Sequence, residues 1–328
     1  MLRWPHFTPD RRPGKAAGDR SLQTRFIFTE APFASAHAST VAETACGLVA
    51  AWFGGPHEGH PDVGIWLARR KGGQWSAPVE IARGRDRRGR SPCWNPVLFQ
   101  PRGGPLLLFY KVGPSPRRWW GMLLRSGDAG RSWSAPERLP RGILGPIKNK
   151  PVELEDGLLC PSSTEGLFWR CHLERTPDHG ASWRKLPLGP ARTRGSIQPS
   201  ILRYPDGTLQ LVCRSRHGAI TSCRSQDGRR WDRMQPLDLP NPDSGIDAAM
   251  LADGRALLVY NHARHGRTPL NLALSRDGRQ WQPSLVLESG PSEYSYPAVI
   301  QGGNGRIHIT YTWQRRLIRH VELDPAEL

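Results

Sequence analysis

The chain has 328 residues, with 46 Lys plus Arg against 29 Asp plus Glu, a formal charge of +17, and an isoelectric point near 10.5. At 38% hydrophobic and 23% charged it has the makings of a globular core, and it has no run of ~18 uncharged apolar residues to span a bilayer. The six cysteines form no Cys-x-x-Cys pair and no zinc spacing with histidine, so free buried thiols are expected.

In chain order, residues 1–25 are basic and lack the apolar stretch of a signal peptide, so a disordered arm and a cytoplasmic location are expected. The segment FIFTE at 26–30 reads as a short strand. From there a unit recurs six times: a short first strand, a second apolar strand opened by Gly or Pro, a third strand, and a turn closed by Trp. First strands are placed from His37, Asn95, Lys150, Gln198, Asp247 and Tyr296. Second strands start at Gly47, Pro105, Gly157, Gly207, Gly254 and Gly305. The closing tryptophans Trp75, Trp133, Trp183, Trp231 and Trp281 are separated by 58, 50, 48 and 50 residues, a period that signals stacked units.

Each turn phrase, such as SGDAGRSW at 126–133 and TPDHGASW at 176–183, supplies an Asp to accept backbone N–H groups. It also supplies a Gly for positive φ and a Trp to fold back as a plug. Five units carry a fourth strand, but the sixth ends at Leu323 after three. The spare strand at 26–30 is expected to complete it, giving an all-β six-bladed propeller of four-stranded antiparallel blades over 26–328.

In such a ring the blade entries and the loops between second and third strands share one face. That face gathers His37, Asp62, Asn95, Lys111, Lys148, Lys150, Glu165, Gln198, Arg214, Arg216, Asp247, Asn261, Arg267 and Tyr296, a polar and largely cationic funnel suited to an anion. The remaining positive charge reads as scattered background, without the stacking aromatics of a nucleic-acid surface, so no nucleic-acid partner is expected. Each residue also has a purely structural reading. Tyr296 can be a rim tyrosine, Asp62 a turn residue and His37 a satisfied core histidine, whereas Trp94, Trp119 and Trp120 can pack between blades or stack on sugars.

The Ser/Thr-x-Asp-x-Gly-x-x-Trp phrases on a six-bladed count resemble the Asp-boxes of the sialidase (neuraminidase) superfamily, closest to the bacterial predicted-neuraminidase group with BNR repeats. The resemblance spans about Phe26 to Leu323. It implies a Tyr nucleophile, matched by Tyr296 in YPAVIQGGNGRIHITYTW, and an acid/base Asp, matched by Asp62. It also implies carboxylate-binding arginines, matched by Arg214 and Arg267. Two positions depart from the pattern: His37 stands where the first arginine is expected, and Gln198 where a Glu partner of the tyrosine is expected.

The leading expectation is therefore an exo-glycosidase that releases a terminal acidic sugar, of sialic acid or uronate type, from an oligosaccharide or glycoconjugate. Tyr296, Asp62 and His37 form the catalytic set, and Arg214, Arg267, Gln198, Lys148, Lys150, Asn95, Glu165 and Asp247 the binding set. This glycosidase chemistry needs no metal or organic cofactor. Two alternatives remain: a uronate-directed lyase or rhamnosidase working through His37, and a non-catalytic propeller that binds acidic glycans. The sequence leaves the oligomeric state open.

Overall fold

The computed structural model describes residues 22–189, 193 and 195–328; most of the basic arm expected at 1–25 lies outside them. Six sheets form a six-bladed β-propeller. In blade 1 the strands are Ser35–Thr44, Gly47–Gly55 and Gly64–Lys71, and the outer edge is split into Gln74–Trp75 and Val79–Arg83. Blade 2 comprises Cys93–Phe99, Leu106–Val112, Trp120–Ser126 and Glu137–Arg138. Blade 3 comprises Val152–Leu154, Gly157–Glu165, Trp169–Thr176 and Arg184–Pro187. Blade 4 comprises Ser196–Arg203, Leu209–Ser215, Ala219–Ser225 and Gln235–Pro240. Blade 5 comprises Asp247–Met250, Ala256–Asn261, Leu270–Ser275 and Gln282–Glu288.

Blade 6 has Tyr294–Gln301, Ile307–Trp313 and Leu317–Leu323, and the N-terminal strand Gln23–Phe26 completes it antiparallel to Leu317–Leu323. The closing strand thus sits three residues earlier than the apolar segment suggested. Gln23 pairs with Glu322 and Phe26 with Arg319, so the pairing is made through a polar stretch. Ile27 and Phe28, expected within the strand, instead pass beyond the sheet and pack with Trp52 and Ile318 in a buried cluster.

Four first strands carry the same irregularity. Their ladders slip at a bulge, and Ala38, Asn95, Gln198 and Tyr296 adopt φ of 55°, 33°, 52° and 52°. Such a residue re-aims its side chain out of the pleat. In three of the four the next residue is Pro, which gives no N–H to the ladder at the point where the ladder is interrupted. The bulge also explains why four of these strands begin about two residues before the positions read from sequence.

The turn phrases lock each blade to its predecessor. Asp178 Oδ1 accepts from Ser182 N at 2.7 Å and Thr176 Oγ1 from Gly180 N at 2.7 Å, while Trp183 Nε1 donates to Gly180 O at 2.9 Å. The Trp183 ring then meets Phe109 of blade 2 edge-on at 5.9 Å. Trp133, Trp231 and Trp281 pack likewise into the clusters shared with the blade before. Trp183→Ala should therefore destabilise the fold by about 2–3 kcal/mol, less than a fully buried Trp because the ring is only half-buried. Urea titration at unchanged m-value checks this.

The six cysteines are unpaired; five are buried as expected, but Cys46 is exposed, in the turn between the first two strands of blade 1. Blade 6 hides a stacked histidine pair, His308 and His320, with ring centroids 5.4 Å apart. Burial, then His308, Arg70 and Arg25, pull His320 down to about 2, and burial also lowers His308. The unfolded chain binds these protons near pH 6.5 and the folded chain refuses them, so stability is full above that pH and declines as pH falls below it. His320 should withdraw about 2 kcal/mol between pH 6.5 and 5. Melting curves across that window should steepen in the native protein and flatten in His320→Asn.

Candidate functional site

The bulges deliver Gln198 and Tyr296 to a common centre, and Arg214, at the end of the second strand of blade 4, joins them. Arg214 is 6% exposed. Its NH1 donates to Tyr296 Oη at 2.8 Å and to Gln198 Oε1 at 3.2 Å. Its Nε and NH2 reach Asp243 Oδ1 at 3.1 and 2.8 Å, and its guanidinium lies 5.2 Å from the Trp169 ring centroid. Burial opposes the charge, but Tyr296, Asp243 and Glu165 outweigh it and raise the Arg214 pKa. Gln198 Nε2 in turn donates to Glu165 Oε1 at 2.9 Å, so a continuous hydrogen-bonded line runs Glu165, Gln198, Arg214, Tyr296. Burial pushes the Glu165 carboxyl upward against the pull of Arg214 and Gln198.

Arg267 also lies over the Tyr296 ring, 5.5 Å from its centroid, and donates to Glu293 Oε1 at 2.8 Å. Arg315 shares that oxygen at 2.7 Å and also pairs with Glu58 Oε2 at 2.5 Å. Burial raises Glu293 less than Ser295, Arg267 and Arg315 together lower it, so it is held ionised. His37 is 1% exposed, its ring centroid is 4.3 Å from that of Tyr296, and its Nδ1 has no partner among the described residues. Burial first, then Arg315, Arg267, Arg214 and Lys148, drive its pKa well below the ordinary histidine value. The imidazole is therefore neutral.

Tyr296, Gln198, Glu165, Arg214, Arg267 and His37 are thus brought together, but other expected members are placed differently. Asp62 is exposed and bonded to Arg90, with His60 at 3.7 Å; the Arg90 hydrogen bond lowers its pKa. Its partners are not the groups around Tyr296, and the ionised form is favoured.

Lys148, Lys150, Asp247 and Asn95, expected to touch substrate, fasten the inner wall instead. Lys148 Nζ donates to Ile246 O and Asn149 Oδ1, each at 2.8 Å, and to Pro297 O. Lys150 pairs with Asp247 Oδ2 at 2.9 Å, and Asp247 accepts from Ser200 Oγ and Val299 N at 2.8 and 2.9 Å, tying blades 4, 5 and 6. The Asn95 carbonyl accepts from Lys111 Nζ at 3.4 Å. Burial brings both Lys111 and Lys148 down to about 7. Trp94 is buried, with its Nε1 on Gly113 O at 2.8 Å, a packing role.

Sequence reading missed Arg315, Glu293, Glu58 and Asp243. Arg315 lies in a loop between second and third strands, the place searched for site residues, within TWQRRL. Its φ of 59° belongs to a turn of blade 6 that no glycine marks.

Comparison with known proteins follows from this geometry. The model of the BNR repeat-like domain matches residues 47–309. A protein of unknown function from Dyadobacter fermentans superimposes with TM-score 0.77 at 18% identity, covering 93% of this chain and 98% of that one. The Hadza microbial sialidase Hz136 gives 0.74 at 17% identity, covering 90% of this chain and 66% of its own. Trypanosoma rangeli sialidase gives 0.72 at 14%, covering 90% of this chain and 55% of its own, so the chain spans little more than half of that enzyme. At these identities the likeness is one of fold. No curated protein sequence matches the chain. With the family model matching residues 47–309, most of the chain, the protein belongs to the BNR repeat-like domain family, and it shares the propeller fold of the sialidases.

Proposed function

We propose that this protein is a sialidase-like exo-glycosidase that takes a terminal sugar bearing a carboxylate, with Tyr296 as nucleophile. The observation that carries the reading is the 2.8 Å hydrogen bond from Arg214 to Tyr296 Oη, with Arg267 also over the ring. A guanidinium there stabilises a phenolate as it forms, and the two guanidiniums together set positive charge beside the tyrosine where a carboxylate would bind. Tyrosine suits such a substrate because a carboxylate nucleophile would meet the sugar's own negative charge. Gln198 passes the influence of Glu165 to Arg214 and takes no proton itself. Asp62, beside Arg90, is assigned the acid/base role in this scheme: in its protonated form it gives a proton to the departing glycosidic oxygen, and as the resulting carboxylate it takes one from the attacking water.

A second reading has one observation in its favour. His37 is packed on Tyr296 with Nδ1 unpartnered among the described residues, which places an imidazole beside the tyrosine as a uronate lyase acting through histidine requires. A proton NMR time course with sialyl-, glucuronyl- and galactosyl-terminated oligosaccharides separates the two. Release of a saturated acidic sugar supports the glycosidase. An unsaturated uronate supports the lyase, and binding without turnover leaves a glycan-binding propeller. Release of neutral galactose alone would overturn the anionic-sugar reading.

A further inference from the structure

The excess positive charge is not all diffuse background. Between the outer strand of blade 1 and the first strand of blade 2, residues 83–90 place five arginines in eight positions. They form an exposed two-stranded ribbon, Arg85–Asp86 against Gly89–Arg90. Gly84 anchors its base: the Ser91 N–H donates to Gly84 O at 3.1 Å, and a Cβ at residue 84 would lie 2.0 Å from Ser91 O. The one acidic residue, Asp86, is used to make the turn, accepting Arg88 N at 2.7 Å.

Arg85 faces Arg90 directly across the ladder. Like charges in that relation destabilise a ribbon. Arg83 is paired with Glu80 and Arg90 with Asp62, but among the described residues Arg85, Arg87 and Arg88 have no carboxylate partner. Asp62 answers Arg90, but the charges of Arg85, Arg87 and Arg88 break a local rule with no counter-charge among the described residues, which suits a surface completed by a ligand.

Contacts tie this ribbon to the central site. Arg90 bonds Asp62; the same blade 1 loop carries Glu58, which holds Arg315; and Arg315 shares Glu293 with Arg267 above Tyr296. Arg117 and Arg118, exposed in the corresponding loop of blade 2, belong to the same face.

We infer that the Arg83–Arg90 ribbon is an extended binding surface for an anionic polysaccharide, so that the substrate carries charges along its length and not only at its terminal sugar. The choice of a polysaccharide rests on the reading of the central site as an anionic-sugar site. The ribbon carries no aromatic side chain on which bases could stack, which disfavours single-stranded nucleic acid.

The test is equilibrium binding of oligogalacturonates of two and of ten residues to the full chain, at low and high salt. Tyr296→Phe and Arg85→Ser/Arg87→Ser/Arg88→Ser variants are measured in parallel, and a ten-nucleotide DNA strand is the competing polyanion. The ten-residue oligomer should bind the native protein at least about 10-fold more tightly than the two-residue one at low salt, and the advantage should fade as screening rises. The triple variant should lose that advantage while binding the short oligomer as before. Its melting temperature should equal or exceed the native one, and Arg87→Ser/Arg88→Ser, confined to the tip, should show half the effect or more. Chain-length dependence that survives in both variants would overturn the inference. Ribbon-dependent binding of DNA as tight as that of the oligogalacturonate would reassign the surface to nucleic acid. Ribbon-dependent length preference in a protein that turns over no glycan would leave this inference standing and remove the proposed glycosidase.

Discussion

Tyr296→Phe should lower kcat/KM on the true substrate by about 10³-fold, or ~4 kcal/mol, with KM changed no more than a few-fold. The phenol oxygen is the only part removed. The ring keeps its contacts with His37 at 4.3 Å and Arg267 at 5.5 Å, so the shape of the pocket survives. Arg214 loses one of its acceptors but retains Asp243 and Gln198, and the stability cost should be about 1 kcal/mol. Loss of kcat without loss of fold or affinity is what a nucleophile predicts and a packing tyrosine does not. Full turnover by Tyr296→Phe, with activity lost in His37→Ala, would move the chemistry to the histidine.

The second large effect belongs to Arg214. Replacing it with Ala removes a buried guanidinium whose partners come from three places: Tyr296, Gln198 and Asp243. On the proposed reading an anionic sugar then loses a buried positive charge beside Tyr296, and affinity should fall about 10²- to 10³-fold. Asp243 is 41% exposed and regains water, so the cost in folding should stay near 1–2 kcal/mol and the variant can be purified. Arg267→Ala should be milder, about 10-fold in affinity, because the residue is 25% exposed and Arg315 continues to neutralise Glu293. Equal losses for acidic and neutral ligands in Arg214→Ala would mean that the arginine shapes the pocket and does not read charge.

The ring was legible because its signals are local. The Trp spacing and the Gly-opened strands each follow from one blade, and a missing fourth strand in blade 6 demanded a partner from the other terminus. The place of that partner was less clear, since Gln23–Phe26 pairs through backbone and polar side chains while Phe28 stacks on Trp52 at 4.9 Å. Arg214, Arg267 and Tyr296 could be found because each stands at a fixed offset from a strand. What the sequence cannot display is where a charge finds its counter-charge. Lys148 and Asp247 share the same stretch of chain face as Arg214, yet their ligands are main-chain groups and neighbours of adjacent blades. Asp62 lies on the predicted loop, but its partner Arg90 comes from a ribbon that reads only as scattered arginines. Arg315 was hidden for the opposite reason, a site residue inside a turn with no glycine to announce it.

The most direct measurement is mass spectrometry of the protein quenched after mixing with an activated aryl glycoside of the acidic sugar released in the NMR panel. A nucleophilic Tyr296 predicts a transient adduct equal to the sugar less water, located on the peptide containing residues 294–301 and absent from Tyr296→Phe. Sustained turnover with no adduct, or an adduct on another peptide, would contradict it.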